Sequence, residues 1–205
     1  VIGRYQARPL QGTAPKDLHY QSSYKVTTLA GNGVAGYSDG KGVNAAFNFG
    51  VRCGLDVDDN GNVYVADAYN LRVRKIAPDG TVTSLAGSGT SGYAEGKGAE
   101  AQFYLPFDIV TDKNGDVFVS DPAAWTIRKI TQDGTTSLVC WGEAWGIGID
   151  KRNGTMYYAN NGNPGSIYQV TLDGAATQII TGLNRPADVA VDGNGNLFVT
   201  ENGTS

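Results

Sequence analysis

The chain has 205 residues, with 16 basic and 20 acidic side chains and a net charge of −4. Phosphate binding needs clustered lysine and arginine, so this balance argues against a nucleic-acid-binding protein. The longest apolar runs are far too short to cross a bilayer, so we expect no membrane insertion. With 2 cysteines and 1 histidine, the chain lacks the ligands of the usual zinc site, and we predict no metal and no cofactor.

Residues 1–24 are predicted to be an N-terminal arm or linker, followed by one repetitive unit over residues 25–205. Apolar and polar residues alternate weakly over residues 1–8, which is typical of a strand. Pro9, Gly12 and Pro15 favour a linker instead. Both interpretations of this segment, a linker and an extra strand, stay open at this point.

One pattern occurs four times in the rest of the chain. Each copy has a short apolar strand, an aspartate, a glycine turn and a second strand with alternating apolar residues. Asn-Gly between such runs is the strongest short signal for a β-hairpin, because both turn residues need a positive φ. The four copies are GLDVDDNGNVYVAD (54–67), DIVTDKNGDVFVSD (108–121), GIGIDKRNGTMYYAN (146–160) and DVAVDGNGNLFVTE (188–201).

Two further strands follow each of the first three hairpins, joined by an Asp-Gly turn. The first of these strands are predicted at 72–77, 126–131 and 166–171, and the second at 81–86, 135–140 and 176–181. A four-stranded unit of about 40 residues is the signature of a β-propeller blade. The sequence therefore predicts an all-β fold of antiparallel blades whose sheets bury their faces against their neighbours.

The run GLDVDDNGNVYVADAYNLRVRKIAPDGTVTSLAG resembles the NHL repeat. The resemblance rests on the DGNVYVAD-like core around residues 58–67, and on Asn70, Arg72 and Lys75 that follow it. It extends in register over about residues 25–201. It implies a propeller that usually has six blades, and a role in binding or, in the lactonase and lyase relatives, in metal-dependent catalysis. Leu71 stands where the family often has histidine, so chemistry based on that histidine is not expected.

Three complete blades and two partial ones are predicted. Residues 25–30 supply an outer strand at one end, with residues 18–21 as a weak strand before it, and residues 188–201 supply two inner strands at the other end. Three arrangements complete these halves: a longer ring of which the chain is a part, a four-bladed ring within the chain, and strand pairing between chains. The last predicts a homo-oligomer or filament subunit, because an open strand edge is a template for pairing.

Ligands tend to bind where loops converge. In a propeller the connections into the innermost strand and those between the second and third strands share one face, here called the loop face. The loops concerned are residues 31–52, 67–70, 87–106, 121–125 and 160–166. Candidate binding residues on this face are Tyr37, Asp39, Tyr93, Glu95, Asp108, Trp125, Trp145 and Asp188.

Asp108, Asp188, Asn160 and Glu201 together supply the oxygen ligands that a hard cation prefers. This is the basis for an alternative hypothesis, a metal-dependent enzyme of the lactonase or lyase type. Aspartate at the end of a strand more often caps a turn, however. The lone His19 provides no Ser/His/Asp triad, so we assign no catalytic residue.

Three further expectations concern the surface. Asn153 and Asn202 begin Asn-Gly-Thr sequences, which are glycosylation acceptors. Cys53 and Cys140 both map near the loop face, where a disulfide and two free thiols are the alternatives. The basic residues of the third strands are expected on a solvated flank: Arg72, Arg74, Lys75, Arg128 and Lys129.

The sequence thus favours a non-catalytic propeller outside the cytoplasm, extracellular or at the cell surface, that serves as a binding module or scaffold for a protein or glycan ligand. The metal-dependent enzyme is kept as the alternative.

Overall fold

The computed structural model describes residues 2–6, 25–50, 53–171 and 173–203. Strands β1 (Ile2–Gln6) and β2 (Lys25–Ala30) form an antiparallel pair, the N-terminal pair. The register of this pair matches the outer half of a blade. Ile2 lies opposite Ala30, as Val73 lies opposite Ala86 in the next blade, with a bulge at the same place. Strand β1 therefore occupies the position of a third strand, and the weak candidate at 18–21 lies outside the described residues.

Three four-stranded blades follow. The first blade contains β4 to β7, with the two-residue β3 added at its outer edge, and the second contains β9 to β12, with β8 added in the same way. The third contains β13 to β16, and β17 and β18 form the C-terminal pair. The strands are β3 (Gly40–Lys41), β4 (Leu55–Val57), β5 (Val63–Asp67), β6 (Arg72–Ile76), β7 (Thr81–Ala86), β8 (Gly96–Lys97), β9 (Ile109–Thr111), β10 (Val117–Asp121), β11 (Thr126–Ile130), β12 (Thr135–Trp141), β13 (Ile147–Asp150), β14 (Thr155–Asn160), β15 (Gly165–Val170), β16 (Ala176–Leu183), β17 (Pro186–Val191) and β18 (Leu197–Glu201).

Helical structure in the described residues is limited to three short 3-10 turns, at Gly42–Asn44, Ala68–Asn70 and Gly98–Glu100. No helix there is long and apolar enough to cross a bilayer. The predicted all-β propeller architecture is confirmed.

The hairpins form because an aspartate side chain organises each turn. Asp58 Oδ1 accepts hydrogen bonds from the backbone N–H groups of Asn60 and Asn62, at 3.0 and 2.8 Å. Gly61 takes the positive φ, 79°, that the turn requires. The same side-chain bonds recur at Asp112 and Asp192, so these aspartates are structural.

The core lies between the flat faces of adjacent blades. Tyr64, Ala66 and Val73 of the first blade pack against Ile109 and Val119 of the second. Burying one such side chain stabilises a fold by roughly 1.5–3 kcal/mol. A blade is therefore stable only beside a neighbour, as expected for a repeat protein. Leu55 and Val57, on the other side of β4, remain 49% and 44% exposed.

The prediction of a solvated arginine flank is wrong for Arg74 and Arg128, whose side chains are fully buried. Arg74 forms ion pairs of 2.7 Å with the equally buried Asp67 and with Asp39. It also donates to the backbone oxygens of Ser38 and Ala46. The reason is that the loop of residues 31–50 folds back over the blade and covers the strand face that would otherwise meet water.

We expect Arg74→Met to destabilise the fold by about 3–5 kcal/mol, because the substitution leaves Asp67 as an uncompensated buried charge. The measurement is urea unfolding. Lys75→Met is the matched control, since it removes the same charge from the partly exposed neighbouring position on β6 and should cost about 1 kcal/mol or less. Equal stability of the two variants would contradict a central role for the buried ion pair.

Candidate functional site: the channel mouth and the loop face

The long loops and the short connections between second and third strands meet on one face, as expected. The N–H of Tyr69 donates to the backbone oxygen of Asn48 at 3.0 Å. Asn70 Nδ2 donates to the oxygen of Gly36 at 2.8 Å and to Asp67 at 2.9 Å. On the first blade the long loop and the short connection are thus joined by hydrogen bonds.

Tyr37 and Asp39 hold their own loop against the first blade. The Tyr37 hydroxyl hydrogen-bonds Ser84 Oγ at 3.1 Å, and its ring lies 3.9 Å from the Arg72 guanidinium carbon. Asp39 pairs with Arg74 and accepts the N–H of Ser84. Both residues are exposed, but their polar groups are already engaged within the fold.

Tyr93 and Glu95 repeat this arrangement on the second blade. The Tyr93 hydroxyl donates to Glu95 at 3.3 Å, and Glu95 accepts the N–H of Leu138 at 2.8 Å. The Tyr93 ring lies 5.5 Å from that of Trp141, which is 60% exposed. An exposed aromatic pair of this kind offers a contact surface for a ligand.

Trp125 is 59% exposed and has a left-handed backbone, with φ of 58°. A bulky residue in this region is uncommon and strained. Its counterpart in the first blade, Leu71, has nearly the same φ, 55°. The conformation therefore belongs to the turn, and it presents Trp125 to solvent on the loop face.

A cavity of about 200 Å³ opens where the four described innermost strands, β4, β9, β13 and β17, begin. We call it the channel mouth. It is lined by Cys53, Gly54, Phe107, Asp108, Gly146, Ala187 and Asp188.

Glycine and aspartate alternate around this mouth. Gly54, Asp108, Gly146 and Asp188 hold the same position in four successive repeats. A Cβ atom on Gly54 would lie 2.3 Å from Asp108 Oδ1, and one on Gly146 would lie 2.3 Å from Asp188 Oδ1. Each glycine therefore makes room for the carboxylate of the next blade, which brings two acidic groups to one opening.

The two carboxylates differ in environment. Asp108 accepts the N–H of Ile147 at 2.8 Å and that of Ile109 at 2.9 Å. Burial raises the pKa of Asp108 to about 7, and the nearby charge of Asp188 adds to the rise while the hydrogen bonds oppose it. Burial also raises the pKa of Asp188. Titrating groups with such raised pKa values in a cavity are typical of functional sites.

Trp145 adjoins the mouth. Its ring meets that of Phe107 edge to face at 5.3 Å, and its backbone oxygen accepts the hydroxyl of Ser120 at 2.7 Å. Of the predicted site residues, Asp108, Asp188 and Trp145 thus come together here, while Tyr37, Asp39, Tyr93, Glu95 and Trp125 lie farther out on the loop face. Sequence reasoning missed Phe107 as a lining residue.

The candidate disulfide between Cys53 and Cys140 does not form, because both are free thiols. Cys53 is exposed at the channel mouth, whereas Cys140 is buried in the core between the second and third blades, beside Phe118 and Ile127. Burial, and next the charge of Asp67, raises the pKa of the Cys53 thiol. A raised pKa keeps the sulfur protonated, so Cys53 is not an activated nucleophile.

The channel mouth does not fit a divalent metal. Magnesium and calcium take six or more oxygen ligands. Asp108 and Asp188 each already accept backbone N–H groups. Among the residues that the structure describes, no group of three or more His, Cys, Asp or Glu side chains is arranged to hold a metal ion.

Both candidate glycosylation residues are exposed at turns. Asn153 Oδ1 accepts the N–H of Thr155 at 2.9 Å within the β13–β14 turn. The N–H of Asn202 donates to the oxygen of Arg185 at 3.0 Å. Thr204, which completes the second acceptor sequence, lies outside the described residues.

Fold and site together define a β-propeller module with a ligand-sized opening at its channel. Residues 54–76 match the NHL repeat family, so the first blade contains an NHL repeat, as the motif predicted. Over 95 residues, 46% of this chain, the sequence is 35% identical to the Arabidopsis thaliana protein named "SUPPRESSOR OF QUENCHING 1, chloroplastic". The match spans 9% of that protein's length.

Solved structures with the same fold include two enzymes. A streptogramin B lyase structure superimposes with a TM-score of 0.60 at 15% identity, covering 80% of this chain and 52% of the lyase. A gluconolactonase from Xanthomonas campestris gives a TM-score of 0.58 at 16% identity, covering 78% and 57% of the two chains. At these identities the likeness shows the fold alone. The chain spans about half the length of these propellers.

Asp108 should make folding stability depend on pH. Its pKa of about 7 in the folded protein exceeds the ordinary value near 4, so the folded state holds this proton more tightly than the unfolded chain does. The contribution of this group to stability therefore falls as the pH rises from about 4 to about 7. Urea unfolding of the wild type and Asp108→Asn should diverge over this range, in favour of the variant at the higher pH. A pH-independent difference would show that Asp108 titrates normally.

Proposed function

We propose that this chain is a non-catalytic, ligand-binding propeller module whose channel mouth receives a positively charged group of a partner protein. The observation that carries this proposal is the pairing of Asp108 and Asp188 in one cavity on the loop face. Burial raises the pKa of both carboxylates, and the charge of Asp188 adds to the rise at Asp108, so a bound cation would favour their ionised forms. A lysine ammonium satisfies this need without the six oxygen ligands that a metal requires.

The rest of the mouth favours binding over catalysis. Burial raises the pKa of the Cys53 thiol, which opposes its use as a nucleophile. Phe107, packed edge to face against Trp145, supplies an aromatic side of the mouth that suits the apolar stem of a long basic side chain. The negative net charge of the chain attracts a basic partner from a distance.

The alternative, a metal-dependent enzyme, is supported by the likeness in fold to lyase and gluconolactonase structures. The channel mouth opposes it, because its two carboxylates, Asp108 and Asp188, are fewer than the ligands of a divalent metal and already accept backbone N–H groups. A metal centre here would need ligands beyond the described side chains.

We expect the peptide acetyl-Lys-Lys-Lys-amide to bind more tightly at pH 8 than at pH 6, because the cation prefers the ionised form of Asp108. Isothermal titration calorimetry at low salt measures this. Asp188→Asn should weaken binding about tenfold, as expected for the loss of one charge-assisted contact. Asp59→Asn is the matched control, since Asp59 is exposed in the hairpin turn at the opposite face and its substitution changes the net charge equally.

Equal effects of Asp188→Asn and Asp59→Asn would reduce the binding to general charge attraction and contradict the proposed site. Elemental analysis provides the test against the enzyme. One stoichiometric divalent ion in the purified protein, lost on Asp188→Ala, would replace the binding module with a metal-dependent catalyst.

We also propose that the module works outside the cytoplasm and assembles through its open edges. The exposed Asn153 supports the location, and a glycosidase-sensitive mass after secretory expression, absent in Asn153→Gln, would test it.

For assembly, β18 pairs only with β17 among the described strands, and β1 only with β2. Because β1 has the register of a third strand and β18 follows β17 as a second strand, the two pairs from different copies complete one four-stranded blade.

Deletion of residues 1–8 should therefore convert an assembly into monomers, with the three complete blades still folded. Light scattering after size-exclusion chromatography measures the mass, and circular dichroism measures the fold. An unchanged assembly mass after the deletion would eliminate β1 as the strand that joins two copies.

A further inference from the structure

The loops of residues 31–50 and 87–106 share one backbone conformation. Gly31 and Gly87 have φ angles of 102° and 108°, and Gly33 and Gly89 have φ angles of 81° and 84°. The N–H groups of residues 31 and 87 both donate, at 3.0 Å, to a glycine eleven positions further on. Each backbone atom of one loop therefore has an equivalent in the other loop.

The turn at the start of each loop is also the same. Asn32 Oδ1 accepts the N–H of Val34 at 2.9 Å, and Ser88 Oγ accepts the N–H of Thr90 at 3.0 Å. The N–H groups of residues 32 and 88 donate to the alanine oxygens at equivalent positions, at 3.1 and 2.8 Å. The backbone oxygen of Asn32 is thus the counterpart of that of Ser88.

In the second of these loops an arginine fills the space beside the turn. Arg72 donates from Nη2 to the backbone oxygen of Ser88 at 2.6 Å and from Nη1 to that of Asn70 at 2.8 Å. A Cβ atom on Gly89 would lie 2.2 Å from Arg72 Nη1. Glycine at this position is what allows the guanidinium to lie against the loop.

Beside the same turn of the first loop, the described residues enclose a cavity of about 270 Å³, here called the Gly31 cavity. It is lined by Gly31, Asn32, Gly33, Val34, Ala35, Phe47, Asn48, Phe49 and Gly50. The position in the sequence that corresponds to Arg72 does not hold an arginine. Because Ile2 has the register of Val73, the sequence position that corresponds to Arg72 is Val1.

We propose that the Gly31 cavity binds the guanidinium group of an arginine side chain presented by a partner polypeptide. Of the two backbone oxygens that accept Arg72, that of Ser88 has a counterpart in the first loop, the oxygen of Asn32, and Gly33 repeats the glycine that gives access. A planar guanidinium donates to such an oxygen while it stacks on an aromatic ring, here Phe47 or Phe49 of the lining, whereas an ammonium is a point charge, so the cavity favours arginine over lysine. The site lies apart from the channel mouth and does not depend on the function proposed for Asp108 and Asp188.

The test uses the full chain and two peptides, acetyl-Gly-Arg-Gly-amide and its lysine counterpart, with NMR shifts of the Gly31 and Gly33 amides as the readout. The wild type should bind one arginine peptide at least about tenfold more tightly than the lysine peptide. Arg72→Ala should open the second loop and add a second arginine site with shifts at Gly87 and Gly89.

Two glycine variants locate the binding. Gly33→Asn places a side chain where the guanidinium would lie, and asparagine tolerates a positive φ, so the loop conformation is kept while binding is lost. Gly42→Asn is the matched control, because Gly42 also has a positive φ, 57°, and a Cβ atom there meets nothing within 4 Å. It should bind the arginine peptide like the wild type.

Three results would overturn the proposal: equal affinity for the two peptides, arginine binding by Arg72→Ala at the second loop alone, or equal binding by the two glycine variants.

Arg8, outside the described residues, is a competing source of the guanidinium. Binding by Arg8→Ala but not by the wild type would assign the cavity to the chain's own arginine and reject the partner. Asp188→Asn should bind the arginine peptide unchanged, which separates this test from that of the channel mouth.

Discussion

Contacts between innermost strands set the geometry on which the rest of the molecule depends. Asp56 accepts the N–H and the hydroxyl of Thr111 in the next blade, both at 2.7 Å, and Asp108 accepts the N–H of Ile147. Such side-chain bridges replace the backbone ladder that cannot continue from one blade to the next, and buried N–H groups need a partner. They hold neighbouring blades in register around the channel. The channel mouth is therefore a consequence of how the blades are joined.

A second set of contacts ties the long loops to the blades. Arg74 joins Asp67 of one strand end to Asp39 of the loop above it, whereas Arg128 bonds to the backbone oxygens of Ala94 and Gln102. Burial lowers the pKa of Arg128, whose guanidinium has no ion pair among the described residues. Both arginines donate to backbone oxygens at equivalent loop positions, and Arg74 adds the two ion pairs. A repeat can keep its loop backbone and its backbone anchors while the charged part of the anchoring changes.

The repeat made much of the fold predictable from sequence. Period-2 alternation and Asn-Gly turns located the hairpins, and the alignment of four copies placed Asp108 and Asp188 at one level of the channel. Burial of Arg74 was not predictable, because alternation assigns a side chain to a sheet face but does not show that a loop covers that face. The strand at Ile2–Gln6 was uncertain for a related reason: its partner, β2, lies about twenty residues away, beyond the reach of local hairpin signals.

Differences between repeats are more informative about binding than their similarities. Where all copies agree, as in the aspartate turns, the residue serves the blade. Where the copies share a backbone conformation but differ in their side chains, the side chains that differ are free to bind a ligand. Gly54 and Gly146 leave the space that Asp108 and Asp188 use, and the Gly31 loop repeats the turn beside which Arg72 lies in the second loop. Both openings lie among the convergent loops, and a basic segment of a partner protein is the ligand that we propose for them.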